Sequence, residues 1–83
     1  MRYLFMCKSL TYAQRSQKLL ERAGISANII KSPSSLSTRG CGYSVSVGYV
    51  RGSRAAEILK KSNLLQGKIY LQESIGSYKE VVF

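Results

Sequence analysis

Tyr43-Ser44-Val45-Ser46-Val47-Gly48-Tyr49 alternates apolar and small residues almost without a break. Successive side chains of a β-strand point to opposite faces, so this spacing predicts a strand with one buried face. Tyr43, Val45 and Val47 are expected to face the core, and Ser44, Ser46 and Gly48 to face away. Immediately before this strand runs Thr38-Arg39-Gly40-Cys41-Gly42. Before that comes the polar loop Ser32-Pro33-Ser34-Ser35-Leu36-Ser37, which holds the only proline. Ala27–Lys31 reads as a second short apolar strand, and the aromatic, apolar stretch Arg2–Lys8 as a third.

Between those two strands the period changes. Leu10, Ala13, Ser16, Leu19, Leu20 and Ala23 fall on one face at helical spacing, with Arg15, Lys18, Glu21 and Arg22 mostly elsewhere. Ser9 or Thr11 can cap the start, and Gly24 suits the left-handed position past the end. Downstream, Gly52-Ser53 is expected to cap a helix over Arg54–Asn63. That helix buries Ala55, Ile58 and Leu59 and shows Glu57, Lys60 and Lys61 to water. Lys68–Glu73 reads as a strand with Ile69 and Leu71 inward. After the turn Ser74-Ile75-Gly76-Ser77, Tyr78–Phe83 either folds back as a fifth strand or pairs with another copy of the chain.

The resulting order is β-α-β-β-α-β plus a tail, which predicts an α+β ferredoxin-like βαββαβ domain. Its antiparallel sheet carries two helices on one face, with an extra C-terminal strand as an option. Residues 1–73 form that domain, and 74–83 the tail or extra strand. Right-handed crossovers place the first and third strands side by side and antiparallel. Cys7, Lys8, Ser9, Leu10, Thr11, Cys41 and Gly42 are then expected at one edge of the sheet.

Composition narrows the chemistry. The chain has 83 residues, 13 Lys+Arg, four Asp+Glu and no His, for a formal charge of +9. One small domain of this size buries only about 60–65% of the surface of its unfolded chain, so its stability margin is thin. The cations are spread along the chain. They read as a self-repelling surface or as the footprint of an anionic partner, whether RNA, an acidic protein or a phosphorylated small molecule. The apolar stretch Tyr3–Cys7 is too short for a signal peptide or a membrane span, which makes a cytoplasmic, reducing setting the expectation. Without histidine, Ser-His-Asp catalysis is excluded, and two cysteines do not build an ordinary four-ligand zinc site. No metal and no other cofactor is expected.

Cys41 sits between Gly40 and Gly42, sterically open on both sides, beside Arg39. A cysteine acts as its thiolate, and Arg39, Lys8 and the positive end of the first helix are expected to lower its pKa from about 8.5. The plain alternative is a small side chain tolerated in a glycine-rich turn. Cys7 reads as a small hydrophobe within a strand, or as a resolving partner forming a transient disulfide with Cys41.

Further residues carry a resemblance. Thr11-Tyr12-Ala13-Gln14, Leu19-Leu20-Glu21-Arg22-Ala23-Gly24-Ile25, Pro33 to Leu36, and Arg39-Gly40-Cys41-Gly42-Tyr43 resemble the putative selenium/sulfur carrier protein-like family of small bacterial domains. The resemblance spans roughly residues 2–72; the tail Glu73–Phe83 and Cys7 lie outside its pattern. It implies a ferredoxin-like domain whose loop cysteine, here Cys41, holds sulfur or selenium as a persulfide or selenopersulfide. Pro33, Gly40 and Gly42 would shape the loop. A stoichiometric carrier, more than an independent enzyme, is expected, docking through its basic surface on an acidic donor or acceptor protein.

Two other readings stand beside it. Arg39-Gly40-Cys41-Gly42-Tyr43 is similar to a strand signature of the RNA recognition motif. Cys41 replaces its first stacking ring, leaving Tyr3, Phe5 and Tyr70 to supply rings from neighbouring strands. The other is a non-catalytic interaction module that forms a homodimer through the open sheet face or through Tyr78–Phe83. Membrane association is not expected.

Overall fold

A computed structural model of the chain describes residues 1–32, 42–65 and 67–83. Along it run β1 (Arg2–Cys7), α1 (Leu10–Arg22), β2 (Ala27–Lys31) and β3 (Tyr43–Gly48). A 3-10 turn (Tyr49–Arg51), α2 (Gly52–Lys61), β4 (Ile69–Ser74) and β5 (Ser77–Val81) follow. The five strands form one antiparallel sheet in the order β2-β3-β1-β4-β5. β5 turns back on β4 and occupies the outer edge, so the order departs from a four-stranded split βαβ sheet.

Local chemistry sets the helix ends. Ser9 is extended (φ −152°), and its hydroxyl accepts the Tyr12 N–H at 3.4 Å, capping α1. Past the last turn Gly24 lies at φ 81°, and the Ile25 N–H returns to the Leu20 carbonyl at 2.9 Å. Ile25 is thereby delivered into the core. α2 ends the same way with Asn63 at φ 58°, and the Leu64 N–H bonds the Leu59 carbonyl at 2.9 Å.

α1 packs on β1, β2 and β3, and against α2, which itself lies on β3. Between helices and sheet lies a core that includes Phe5, Leu20, Ile25, Val45, Val47 and Leu59. Ile58, expected inside, is only half-buried, and Ala56 is buried in its place. Ser16 is fully buried, and its hydroxyl has no hydrogen-bond partner among the described residues. An unmet buried hydroxyl is destabilising, so Ser16→Ala is expected to leave the free energy of urea unfolding unchanged or raise it, by up to about 1 kcal/mol. A clear loss of stability would show that the hydroxyl is bonded.

Three expectations need correction. β3 has two buried faces, not one. Val45 and Val47 meet the helices, as anticipated, but Ser44 and Ser46 on the other side are also buried, while Tyr43 is largely exposed. The buried serines are satisfied by residues far off in sequence. Ser44 Oγ donates to Met6 Sδ at 3.1 Å and shares a 2.7 Å hydrogen bond with Ser32 Oγ. Arg2 reaches across to Ser46, its Nη2 donating to the carbonyl at 3.2 Å. β3 also stops at Gly48, where the chain tightens into the 3-10 turn. Gly52-Ser53 does not cap α2. Arg51 occupies the cap position with no side-chain bond, and Gly52 is the buried first residue of the helix.

The end of the sheet away from the head of β3 carries an aromatic group. The Tyr3 ring stacks on Tyr49 at 5.5 Å and meets Phe83 edge-on at 5.1 Å. The Phe83 carbonyl accepts from Lys60 Nζ, tying the chain's last residue to α2. Desolvation, reinforced by the neighbouring Tyr49, raises the Tyr3 hydroxyl above its ordinary 10.0. In the unfolded chain this phenol loses its proton first. Its contribution is therefore complete below about pH 10 and is lost as pH rises through the higher folded value. Tyr3→Phe should flatten the fall in stability above pH 10, read from urea curves taken as a pH series. An unchanged slope would remove Tyr3 from the alkaline transition.

Candidate functional site: the edge at the head of β3

The strand register assembles the site's frame. β1 and β3 run antiparallel with Cys7 opposite Tyr43, and β2 brings Lys31 opposite Tyr43 from the other side. The Ser32 N–H donates to the Gly42 carbonyl at 3.0 Å. Lys8 and Ser9 continue directly from Cys7 into α1. The end of β1, the start of α1 and the head of β3 therefore share one edge, as expected for the described residues, and the end of β2 joins them there. Four of the residues singled out from the sequence, Pro33, Arg39, Gly40 and Cys41, lie outside the described residues.

The described members divide into surface and core. Lys8 and Gly42 are exposed, and Ser9 is half-buried by its capping role. A Cβ at Gly42 would meet nothing within 4 Å, and its backbone is not left-handed. Among the described residues nothing crowds this position, and a residue without a side chain adds no cover there. Cys7 is different, at only 3% exposure within the core cluster. Its Sγ donates to the Phe5 carbonyl at 3.5 Å.

The positive charge is hardly offset. Among the described residues, Lys61 pairs with Glu57 at 3.3 Å and Lys68 with Glu80 at 3.5 Å. Both pairs are exposed and contribute little to stability. Lys8 and Lys31, which flank the edge, belong to neither. Among the described residues no group of three His, Cys, Asp or Glu side chains is placed to hold a metal. No helix there is long and apolar enough to cross a membrane.

The rings proposed for RNA stacking are divided between the two faces. Tyr3 and Phe5 belong to the helix side of the sheet. On the other side, the row through Tyr70 continues into Leu4 and Ser46, neither of which carries a ring. Sequence reasoning could not assign these faces, because both faces of Arg2–Cys7 are apolar. It set the cations of α1 mostly off the apolar face without assigning them to a site. Arg15, Lys18 and Arg22 recur at spacings of three and four, a signal that was present in the sequence.

A family model described as "putative Se/S carrier protein-like" matches residues 2–71. The chain belongs to this family. The match takes in β1, α1, β2, β3 and α2 and ends within β4, so the turn and β5 lie beyond it. It also spans the run Arg39-Gly40-Cys41-Gly42-Tyr43, on which the resemblance to the family chiefly rests. No curated protein and no solved structure matches the chain.

Proposed function

We propose that this chain is a ferredoxin-like sulfur or selenium carrier, extended by β5, that holds a persulfide or selenopersulfide on Cys41. It passes that atom to a partner protein in the cytoplasm. The observation that carries this reading is membership of the Se/S carrier family across a segment containing Cys41. The described frame adds support. Gly42, which follows Cys41, lies at the same edge of the sheet as Lys8 and the capped start of α1, and positive charge there favours a thiolate.

The chemistry matches the composition. The Cys41 thiolate attacks the terminal sulfur of a donor's persulfide. The donor S–S bond breaks, its cysteine leaves as a thiolate, and a new S–S bond forms on Cys41. An acceptor thiolate then attacks the carried sulfur, and Cys41 leaves as a thiolate. Each transfer breaks one S–S bond and forms one, so no oxidant, reductant or general base is consumed. A chain without histidine or aspartate is suited to such a carrier. Its net positive surface favours encounter with acidic donors and acceptors.

The test is the intact mass of the chain after incubation with a cysteine desulfurase and cysteine. Gain of one sulfur, reversed by an added thiol, is the expected result. An unchanged mass, with the desulfurase itself loaded, would overturn the reading.

A further inference from the structure

We propose that the exposed face of α1 is the docking surface for an acidic, leucine-bearing segment of a partner protein. Among the described residues, two shallow hollows border this helix. The first, about 330 Å³, is lined by Thr11, Gln14, Arg15, Gln17 and Lys18. The second, about 300 Å³, is lined by Arg15, Lys18, Leu19, Arg22, Ser62 and Leu64. They share Arg15 and Lys18 and so flank one row of cations that runs from the first turn of α1 to its last; this row with its two hollows is the trough of the docking face.

The character of the trough selects its occupant. Arg15, Lys18 and Arg22 are exposed, and neither ion pair among the described residues engages them. Glu21, the single acid of α1, lines neither hollow. Arg15 also lies over the Tyr12 ring, 6.0 Å from its centroid, which restrains its guanidinium. Between the cations, the half-buried Leu19 and Leu64 give the second hollow an apolar floor. A sugar-phosphate chain would use the cations and waste the floor. A peptide with carboxylates on its rim and a leucine at its centre uses both. A second copy of the chain, at +9, is repelled.

The trough has a direction. It begins at Thr11, two residues beyond the Ser9 cap, at the same edge as Lys8 and Gly42. The 13 residues of α1 rise about 20 Å, which an extended segment of about six residues spans. A segment lying along α1 would thus lead to the edge that carries the head of β3. This deepens the carrier reading, on which the partner's role as donor or acceptor rests.

The experiment reads docking without any sulfur transfer. A fluorescein-labelled peptide of alternating glutamate and leucine is titrated with the whole chain, followed by fluorescence anisotropy. Arg15→Glu/Lys18→Glu/Arg22→Glu should weaken binding by about tenfold or more. Arg51→Glu/Arg54→Glu/Lys79→Glu, the same change of charge on other exposed sites, should weaken it by only about threefold. Replacing the probe's leucines with serine should cost a further loss of about fivefold or more. Equal losses in the two variants, or indifference to the leucines, would overturn the proposal. So would oligouridine RNA bound as tightly as the peptide and lost in the same variant. A chain that loads sulfur from a low-mass persulfide yet fails these tests would sink the docking surface alone. A chain that passes them but never loads would sink the carrier reading alone.

Discussion

Gly52→Ala is expected to destabilise the protein by about 3 kcal/mol, against the helix-propensity rule. Gly52 has ordinary helical backbone angles, φ −59° and ψ −49°, and begins α2. On propensity alone, alanine there would gain about 1 kcal/mol. The opposing effect is larger. A Cβ at this position would fall within the Tyr3 ring. That ring cannot withdraw easily, because Tyr49 stacks on it and Phe83 meets it edge-on. Its backbone is also paired on both sides, with Val47 and with Leu71. In a domain of this size, 3 kcal/mol is a large share of a total of about 4–12 kcal/mol. The urea midpoint should fall by about 2–3 M. Tyr3→Ala/Gly52→Ala should cost less than the two single changes added together, by about 1 kcal/mol or more. A midpoint raised by Gly52→Ala would refute the packing described here.

Cys41→Ser should abolish the desulfurase-dependent mass gain, while Cys7→Ser retains it. The chain has only these two thiols, so the pair of variants assigns the sulfur completely. Transfer requires the accepting thiolate to reach the donor's terminal sulfur, inside another protein's active site. Cys7, 3% exposed and bonded to the Phe5 carbonyl within the core, is unsuited to that approach. The effect on loading is all or none. Circular dichroism of both variants separates loss of loading from loss of fold. Loading retained in Cys41→Ser, or lost in a folded Cys7→Ser, would move the carried atom away from Cys41.

Much of the frame was legible beforehand because its signals are local. Ser9 capping α1 and Gly24 at φ 81° follow from side-chain chemistry and steric freedom within one helical turn. Ala27–Lys31 emerged with the bounds read from its composition. The adjacency of β1 and β3, and the gathering of Cys7, Lys8, Ser9 and Gly42 at one edge, required only the order of elements and the handedness of crossovers. The choice of Cys41 as candidate rested on equally local signals, its flanking glycines and arginine, and that residue lies outside the described ones.

Contacts between residues far apart in the chain were not legible. Alternation in β3 divides its side chains between two faces but does not say what covers each. Ser44 and Ser46 are buried because Ser32, Met6 and Arg2 reach them from 12, 38 and 44 residues away. Gly52 looked like a cap until Tyr3, from the first strand, filled the space its missing side chain leaves. Charge, chemical repertoire and the succession of helices and strands thus belong to the chain as written. Which face of β1 each ring takes, and which cations border the hollows beside α1, were decided by packing, because burial depends on neighbours that only the folded chain brings together.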